Sequence, residues 1–462
     1  MKKVLLITMG ALLASCVARK PYERPQLPAE NAFRSETISP DSLSSAVVSW
    51  KDIFTDSHLQ TYINKALTNN LDIRVALQNI NIAQSYLKQG KQGYLPTFSL
   101  NAGYTHSTAS LNTATGRLQP ERTFNNQWDA IATASWEADI WGKISTQNKA
   151  NQATFLVSTV AHQAVKSQIV AALATAYYQL LMYDKQQQVL NQTISLREES
   201  LLTTQQLKQA GITTEVAVQQ TEALLHNARA QLISVENNIW VLENSIAVLL
   251  GETPQKISRT TLEAQAFPTH FRQGYPLALL ENRPDVRQAE ANLMAAFELT
   301  NVARAGFYPS FTITERGGVG AENLADLLSP QSLLATIVGG LAQPIFNRRN
   351  IKTNYEVQQA RQEIAVLQFQ KSLLTASKEV ADAMHQFSRQ DEYINLKEKE
   401  TEAYKKATDY SKELFNSGLA SYLEVITAEV NRLNAELALA AAKFTRMQYG
   451  VSLYKALGGG WR

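Results

Sequence analysis

Residues 201–250 read LLTTQQLKQAGITTEVAVQQTEALLHNARAQLISVENNIWVLENSIAVLL, with Gly211 as the only glycine and no proline. Proline and glycine commonly end helices, so this stretch predicts two helices joined by a turn at Gly211. A second proline-free region follows Pro344, and Gly418 occupies the matching place in it. We therefore expect two long helical hairpins, each with a longer first helix and a shorter second one. Their predicted helices are residues 143–210 with 212–250, and 348–417 with 419–457.

The shorter helix of the first hairpin carries a coiled-coil pattern. Its apolar residues recur in alternating steps of three and four, and they are Leu225, Ala228, Leu232, Val235, Ile239, Leu242, Ile246 and Leu249. A 3.5-residue period predicts a left-handed supercoil. Many flanking positions are Gln, Asn, Thr or Ala, which fits helices packed on two sides in a ring.

The chain also contains an internal repeat. A shift of 213 residues places Asp72-Ile73-Arg74 on Asp285-Val286-Arg287, and a shift of 207 places Gly211 on Gly418. Each repeat is expected to run helix, proline, strands, long helix, glycine turn and shorter helix.

Short segments after Pro96 and Pro309 alternate between apolar and polar residues, which predicts strands. The four predicted strands are residues 97–105, 127–141, 310–316 and 333–346. Alternation over about ten residues is typical of membrane barrel strands, although a half-buried strand of a soluble sandwich gives the same pattern. Aromatic residues near the strand ends favour the barrel, since they fit a membrane-interface girdle. They are Tyr94, Trp141, Phe307, Tyr308 and Phe346.

Four strands are too few to close a membrane barrel, because known single-chain barrels have at least about eight. The strands must then close with strands of other copies. Three chains would supply about twelve strands, so we expect a homotrimer.

The N-terminus predicts secretion and lipid attachment. Lys2 and Lys3 precede a short apolar run, and Leu-Ala-Ser then leads to Cys16, the only cysteine. This resembles a bacterial lipobox, with a signal peptide over residues 1–15 and lipid on Cys16. An ordinary signal peptide with an accidental cysteine is the alternative. Val17 follows the cysteine, which by resemblance to lipoprotein sorting favours the outer membrane.

Composition and motifs argue against several function classes. The net charge is +3, so there is no excess basic charge for nucleic-acid binding. The six histidines are scattered, and Ser-x-x-Lys occurs twice on helical stretches without a partner motif. Gly317-Gly318-Val319-Gly320 is expected in a hairpin loop, where it cannot act as a phosphate cradle. Six unclustered methionines indicate no soft-metal site and no copper-specific channel. We expect no enzyme activity, no metal and no cofactor.

The segments NRPDVRQAE (282–290) and RAGFYPS (304–310) closely resemble the TolC-like outer-membrane efflux channel family, particularly its lipoprotein branch. Within this motif, Asn282 is expected to cap a helix and Asp285 to lie in its first turn, without a catalytic role. With the lipobox and both glycine turns, the resemblance covers essentially the whole chain. It implies a mainly α fold with a β-barrel part, in which helical hairpins form a periplasmic α-barrel and a trimer forms a twelve-stranded transmembrane barrel.

The resemblance also implies a function and partners. The expected role is a passive duct for drugs or toxic compounds, working with a periplasmic adaptor and an inner-membrane RND-type pump. A duct for type I protein secretion, or a lipid-anchored periplasmic coiled coil without a pore, stays open as an alternative. The expected divisions are a signal peptide (1–15), a lipidated and equatorial segment (16–55), repeat 1 (56–250), an equatorial linker (251–275), repeat 2 (276–457) and a C-terminal tail (458–462).

A resting duct must be closed, and the family closes at the hairpin turns. The Gly211 and Gly418 turns are therefore expected at the periplasmic tip. Glu424 matches one acidic gate position of the family, whereas Thr427 stands at the place of a second. Tyr422 and Glu215 are the other candidate constriction residues. A solvated glutamate at a helix start is the alternative interpretation of Glu424.

Overall fold

The computed structural model describes residues 20–25, 48–114, 116–118, 120–265 and 282–462. Within them the chain forms eight α-helices, four strands and four short 3₁₀ turns. The helices are α1 (Trp50–Ile53), α2 (Ser57–Asn69), α3 (Leu71–Gln92), α4 (Lys143–Gln209), α5 (Glu215–Leu249), α6 (Pro284–Ala305), α7 (Asn350–Asn416) and α8 (Tyr422–Ala456). The strands are β1 (Thr97–Thr108), β2 (Phe124–Ala138), β3 (Ser310–Ala321) and β4 (Leu333–Ala342).

The chain divides into two compact units. The strand unit contains residues 81–156 and 290–368 together with the described N-terminal residues up to 25. The hairpin unit contains the described parts of residues 26–80 and 157–289, together with residues 369–462. The long helices α4 and α7 contribute residues to both units.

The strand unit holds one antiparallel sheet in the order β1-β2-β3-β4. Register pairs such as Phe98 with Ala134 and Trp136 with Ile313 determine which side chains share a face of the sheet. Every residue of β1 is exposed, and so is every residue of β4 except Gly340. Phe98 is 78% exposed and Ile337 is 71% exposed, so large apolar side chains of both edge strands are exposed in the single chain.

The glycine-rich segment 317–320 corrects one expectation. It lies inside β3, not in a loop, and Gly318 pairs with Ile131 of β2 and Leu334 of β4. A Cβ at Gly318 would come 2.1 Å from the Ala130 carbonyl oxygen. The glycine therefore permits a close approach of two strand backbones, which alternation of apolar residues does not reveal.

The two helical hairpins have equal lengths. Helices α4 and α7 each contain 67 residues, and α5 and α8 each contain 35. The predicted pairs of long and short helices are confirmed, although α5 and α8 begin three residues later than expected. Helix α7 begins at Asn350 instead of 348, because Arg348 and Arg349 adopt left-handed φ angles of 54° and 66°. Within the described residues, no helix has an apolar run that would reach across a bilayer.

The predicted coiled-coil seam faces the interior of the hairpin unit. All eight seam residues of α5 are buried or half-buried, with Ala228 and Ile246 fully buried. Val235 packs with Leu190 of α4 and Leu433 of α8. Apolar contacts between three helices thus hold the two hairpins together in this unit.

The start of α6 differs from the expected cap. Arg283, not Asn282, precedes the first helical residue, and its carbonyl accepts the first helical hydrogen bond from Arg287 at 3.1 Å. The Asn282 side-chain oxygen instead accepts a hydrogen bond from Arg462 at 2.7 Å. The side-chain oxygen that the sequence predicts as a helix cap therefore binds the Arg462 guanidinium of the C-terminal tail instead.

Candidate functional site at the hairpin turns

Gly211 ends the long helix of the first hairpin in a left-handed conformation with φ of 74°. The Ile212 N–H donates to the Leu207 carbonyl, and the Gly211 N–H donates to the Lys208 carbonyl, both at 2.9 Å. This pair of bonds is the Schellman motif, which satisfies carbonyls left unpaired at a helix end.

Gly418 ends the long helix of the second hairpin in the same way, with φ of 70°. The Leu419 N–H donates to the Leu414 carbonyl at 2.8 Å, and the Gly418 N–H donates to the Phe415 carbonyl at 3.0 Å. No atom lies within 4 Å of a Cβ built at either glycine. Both turns are therefore determined by backbone conformation and not by crowding.

Tyr422 is tied into the hairpin unit by its hydroxyl group. That oxygen lies 2.9 Å from Ser200 Oγ, 3.0 Å from Thr204 Oγ1 and 2.8 Å from Thr221 Oγ1. Its ring also lies 5.3 Å from the ring of Phe415. A phenolic hydroxyl can donate one hydrogen bond and accept others, so Tyr422 joins the first turn of α8 to α4 and α5.

Glu424 lies in the first turn of α8 and is exposed. Its backbone N–H donates to the Ser421 carbonyl at 3.1 Å. The Thr427 hydroxyl donates to the Leu423 carbonyl of its own helix at 2.8 Å. Residues two apart on a helix point in different directions, so Glu424 faces solvent while Tyr422 faces the interior of the unit.

Glu215 lies at the start of α5 and is exposed. Its carboxylate accepts hydrogen bonds from Lys208, at the end of α4, and from Gln219 at 2.9 Å. These contacts, that with Lys208 foremost, hold the pKa of Glu215 below its usual value. The structure thus pairs Glu215 with Lys208 across its own turn.

The three hydroxyl partners of Tyr422 were not among the residues predicted from the sequence. Ser200 and Thr204 are four residues apart on α4 and therefore share one helix face. That spacing was the only local signal. Thr221 comes from the other helix of the same hairpin, and nothing in the sequence links it to a tyrosine about 200 positions later.

The predicted interface aromatics belong to the strand unit. Trp141 stacks on Tyr308 with ring centroids 4.9 Å apart, and its Nε1 donates to the Pro309 carbonyl at 2.7 Å. Phe307 packs edge-on against Tyr355 at 5.5 Å. Phe346 is 88% exposed and Tyr94 is 43% exposed. Three of the five aromatics thus pack against other rings, whereas Tyr94 and Phe346 are exposed.

The predicted lipidation site cannot be placed in the fold. Cys16 lies outside the described residues. Within the part of the chain that is described, no group of three or more His, Cys, Asp or Glu side chains is arranged to hold a metal ion.

Comparison with known proteins adds independent information. The family model of outer membrane efflux proteins matches residues 62–252 and 276–459. The probable outer membrane lipoprotein SilC of Salmonella typhimurium is 25% identical over 466 residues, which is 99% of this chain and 99% of the relative. The cation efflux system protein CusC of Escherichia coli is 25% identical over 470 residues, 100% of this chain and 99% of the relative.

A solved channel shares the fold. The open state of the MtrE outer membrane channel of Neisseria gonorrhoeae matches with a TM-score of 0.85 and 25% identity, over 97% of this chain and 99% of that chain. The predicted combination of long helical hairpins with a small sheet is therefore an architecture known from outer membrane channels.

Proposed function

The chain belongs to the outer membrane efflux protein family, and on that basis we propose that three copies form a passive duct through the outer membrane. In this proposal the duct is the last component of a tripartite efflux system. A periplasmic adaptor and an inner-membrane RND-type pump supply the cargo. Family membership supports the efflux role and the outer-membrane location, and no catalytic activity is indicated for the family.

The open sheet of the strand unit carries the proposal. Strands β1 and β4 are both edge strands, and their apolar side chains are exposed in the single chain. Unpaired backbone groups are costly in lipid, so an open four-stranded sheet cannot lie in a membrane by itself. Pairing β4 of one copy with β1 of the next removes both edges, and three copies give a closed barrel of about twelve strands.

Large exposed apolar residues of the edge strands suit the lipid-facing side of such a barrel. Leu100 is 76% exposed and Leu341 65% exposed. In water this surface would be unfavourable by roughly 25 cal/mol per Å² of apolar area. The alternating polar side chains, such as Asn101, would line the lumen.

The cargo is a small molecule or ion selected by the pump. The name of CusC refers to cation efflux, so metal cations join drugs and other toxic compounds as candidate cargo. The six methionines do not cluster in the sequence, which favours a duct without its own soft-metal site. In this proposal the pump and adaptor select the compound, and this chain provides the path through which it leaves.

Lipid on Cys16 supplies a second membrane anchor. The relative SilC is named as a lipoprotein, and the sequence around Cys16 resembles a lipobox. One acyl-type anchor is weak beside a closed barrel, so Cys16→Ala should alter processing more than insertion. Mass spectrometry of the mature N-terminus tests whether Cys16 carries the lipid. An unmodified terminus at another residue would contradict lipid attachment at Cys16.

The proposed gate lies at the hairpin turns. Three Glu424 side chains around a threefold axis would concentrate negative charge and attract cations. The exposed position of Glu424 in the first turn of α8 supports this role. Tyr422 acts from behind the lining, because its hydroxyl joins α8 to α4 and α5.

Deletion of the gene in its host tests the efflux function. The deletion strain should accumulate a fluorescent efflux substrate and become sensitive to drugs or to silver and copper salts, and the wild-type gene should restore both properties. Unchanged accumulation and sensitivity, with a secreted protein missing from the medium, would instead indicate protein secretion. A purified chain that produces no conductance in planar bilayers would indicate the coiled coil without a pore.

A further inference from the structure

A cavity of about 380 Å³ lies within the hairpin unit, between α4, α7 and α8. Its lining includes Arg197 from α4, Lys412 from α7, and Glu429, Arg432 and Glu436 from α8. Five charged side chains therefore meet at one place between three helices. The proposed transport role assigns no task to this cavity.

Arg197 is the unusual member of this group because it is buried, with only 3% of its surface exposed. Its Nη1 donates to the Leu224 carbonyl of α5, whereas its Nε has no hydrogen-bond partner among the described residues. Burial lowers the pKa of Arg197, and the charge of Glu429 opposes this effect only in part. A buried guanidinium normally has a carboxylate or another anion bound to it.

The neighbouring carboxylates are already paired. Glu429 accepts from Lys412 at 2.9 Å, and Glu436 accepts from Arg432 at 3.0 Å. The lining therefore contains two balanced ion pairs and one extra cation, Arg197. The side chain of Glu429 is only 13% exposed, and its charge acts on the buried guanidinium of Arg197 in the same lining.

The cavity has the properties that a small anion requires. It has room for an ion of phosphate or acetate size, since a water molecule occupies about 30 Å³. Arg197 lines the cavity with a planar guanidinium, a shape that matches oxyanions, and Lys412 has three donors, of which one is directed to Glu429. The Thr408 hydroxyl donates to the Tyr404 carbonyl at 2.8 Å and the Ser195 hydroxyl to the Asn191 carbonyl at 3.3 Å, so the cationic side chains of the lining are its principal donors.

We propose that this cavity binds a small oxyanion, with Arg197 as its main ligand and Lys412 as the second. The anion balances the extra positive charge of the cavity lining and links α4 to α7. All lining residues of the site come from one chain, so the proposal does not rest on the transport role.

Thermal unfolding of the full chain in detergent tests the proposal. Sodium phosphate and sodium acetate are each titrated at pH 7.5 against sodium chloride of equal ionic strength. The melting temperature should rise with saturation, because a ligand that binds the folded state stabilises it by mass action. A response to phosphate alone identifies a tetrahedral oxyanion, and a response to acetate identifies a carboxylate ligand.

Two variants and one control determine whether Arg197 holds the anion. Arg197→Gln should raise the half-saturating concentration about tenfold or more, since a charged hydrogen bond contributes about 1.5–3 kcal/mol. Glu429→Gln removes a repelling charge and should lower that concentration. Arg229→Gln, an exposed arginine paired with Glu198 at 2.6 Å, should behave as wild type.

The outcomes separate the site from general salt effects. A melting temperature that rises without saturation, or equally in wild type and Arg197→Gln, overturns the proposal. If Arg197→Gln does not fold, Glu429→Gln is compared with wild type instead. An equal half-saturating concentration in these two proteins also overturns the proposal.

Discussion

Arg283 donates a hydrogen bond from Nη1 to the carbonyl oxygen of Ala456 at 3.0 Å, which joins the start of α6 to the end of α8. In the first half of the chain, Asn70 Nδ2 donates to the Leu249 carbonyl at 2.9 Å. The shifts of 213 and 207 residues place Asn70 on Arg283 and Leu249 on Ala456. Different side chains at positions related by these shifts thus make the same connection, from the residue preceding a helix to the last residue of a shorter hairpin helix.

Arg283 adds an ion-pair network that Asn70 lacks. Its guanidinium contacts Asp285 at 2.5 Å and Glu379 at 2.7 Å. Burial opposes the charged form of Arg283, but the two carboxylates raise its pKa above the usual value. Burial alone would raise the pKa of Asp285, whereas the hydrogen bonds and charge of Arg283 hold it below the usual value.

We predict that Asp285→Asn destabilises the protein by about 1 kcal/mol at pH 7, and that this difference disappears in acid. The folded-state pKa of Asp285 is lowered, so its contribution is complete above the unfolded pKa of about 3.9 and is lost as the pH falls through the folded pKa. Thermal unfolding in detergent at several pH values between 7 and 3 measures the difference. Asp409→Asn, an exposed control on α7, should change little at any pH. A difference that grows in acid would contradict the prediction.

Gly458→Ala should destabilise the protein more than Gly418→Ala. Both glycines have positive φ, so each substitution incurs roughly 1–2 kcal/mol of left-handed strain. At Gly458 a Cβ would also lie 2.5 Å from the Asn282 carbonyl carbon, whereas at Gly418 no atom lies within 4 Å. The melting temperatures of the two purified variants give the comparison. Equal shifts would show that close approach at Gly458 has no energetic role.

Tyr422→Phe should lower stability by about 1–3 kcal/mol, because three hydroxyl groups lose a half-buried hydrogen-bond partner. Tyr410→Phe is the matched control, since Tyr410 lies on α7 and is 61% exposed. Both substitutions keep the ring, so the difference between their melting temperatures reports the hydrogen bonds of the Tyr422 hydroxyl. If the two variants unfold alike, the hydroxyl cluster does not hold α8 to α4 and α5.

Glu424→Gln should weaken cation selectivity and block by multivalent cations, because the ring of negative charge at the proposed gate disappears. Reversal potentials in asymmetric KCl across planar bilayers measure the selectivity. Glu413→Gln provides a control, as an exposed glutamate near the end of α7. Selectivity and block that match wild type would assign Glu424 to the solvated surface of α8.

Much of the helical architecture was predictable from the sequence because proline and glycine are so sparse. The long helices and both glycine turns follow from the positions of these few residues. The 3.5-residue seam of α5 indicates its buried face. The exact helix starts were less predictable. Helices α5 and α8 begin only after Thr214 and Ser421, since the Schellman turns extend the connection past each glycine.

Contacts between distant positions account for most of what the sequence did not reveal. Gly318 looked like a loop residue because its role depends on the backbone of a strand about 190 positions earlier. Arg197 resembles any helix arginine, and its burial results from packing against α5 and α8. Pairings of this kind depend on how hairpins pack together, which local periodicity does not encode.

Native mass spectrometry of the full-length protein, extracted from the outer membrane in detergent, tests the central claim most directly. The open edges of β1 and β4 predict a complex of three copies, each with a mass close to that of the mature lipidated chain. Single-channel conductance from the same preparation should accompany the trimer. A stable monomer that conducts ions would contradict the account, because the described part of one chain supplies only four strands to enclose a pore.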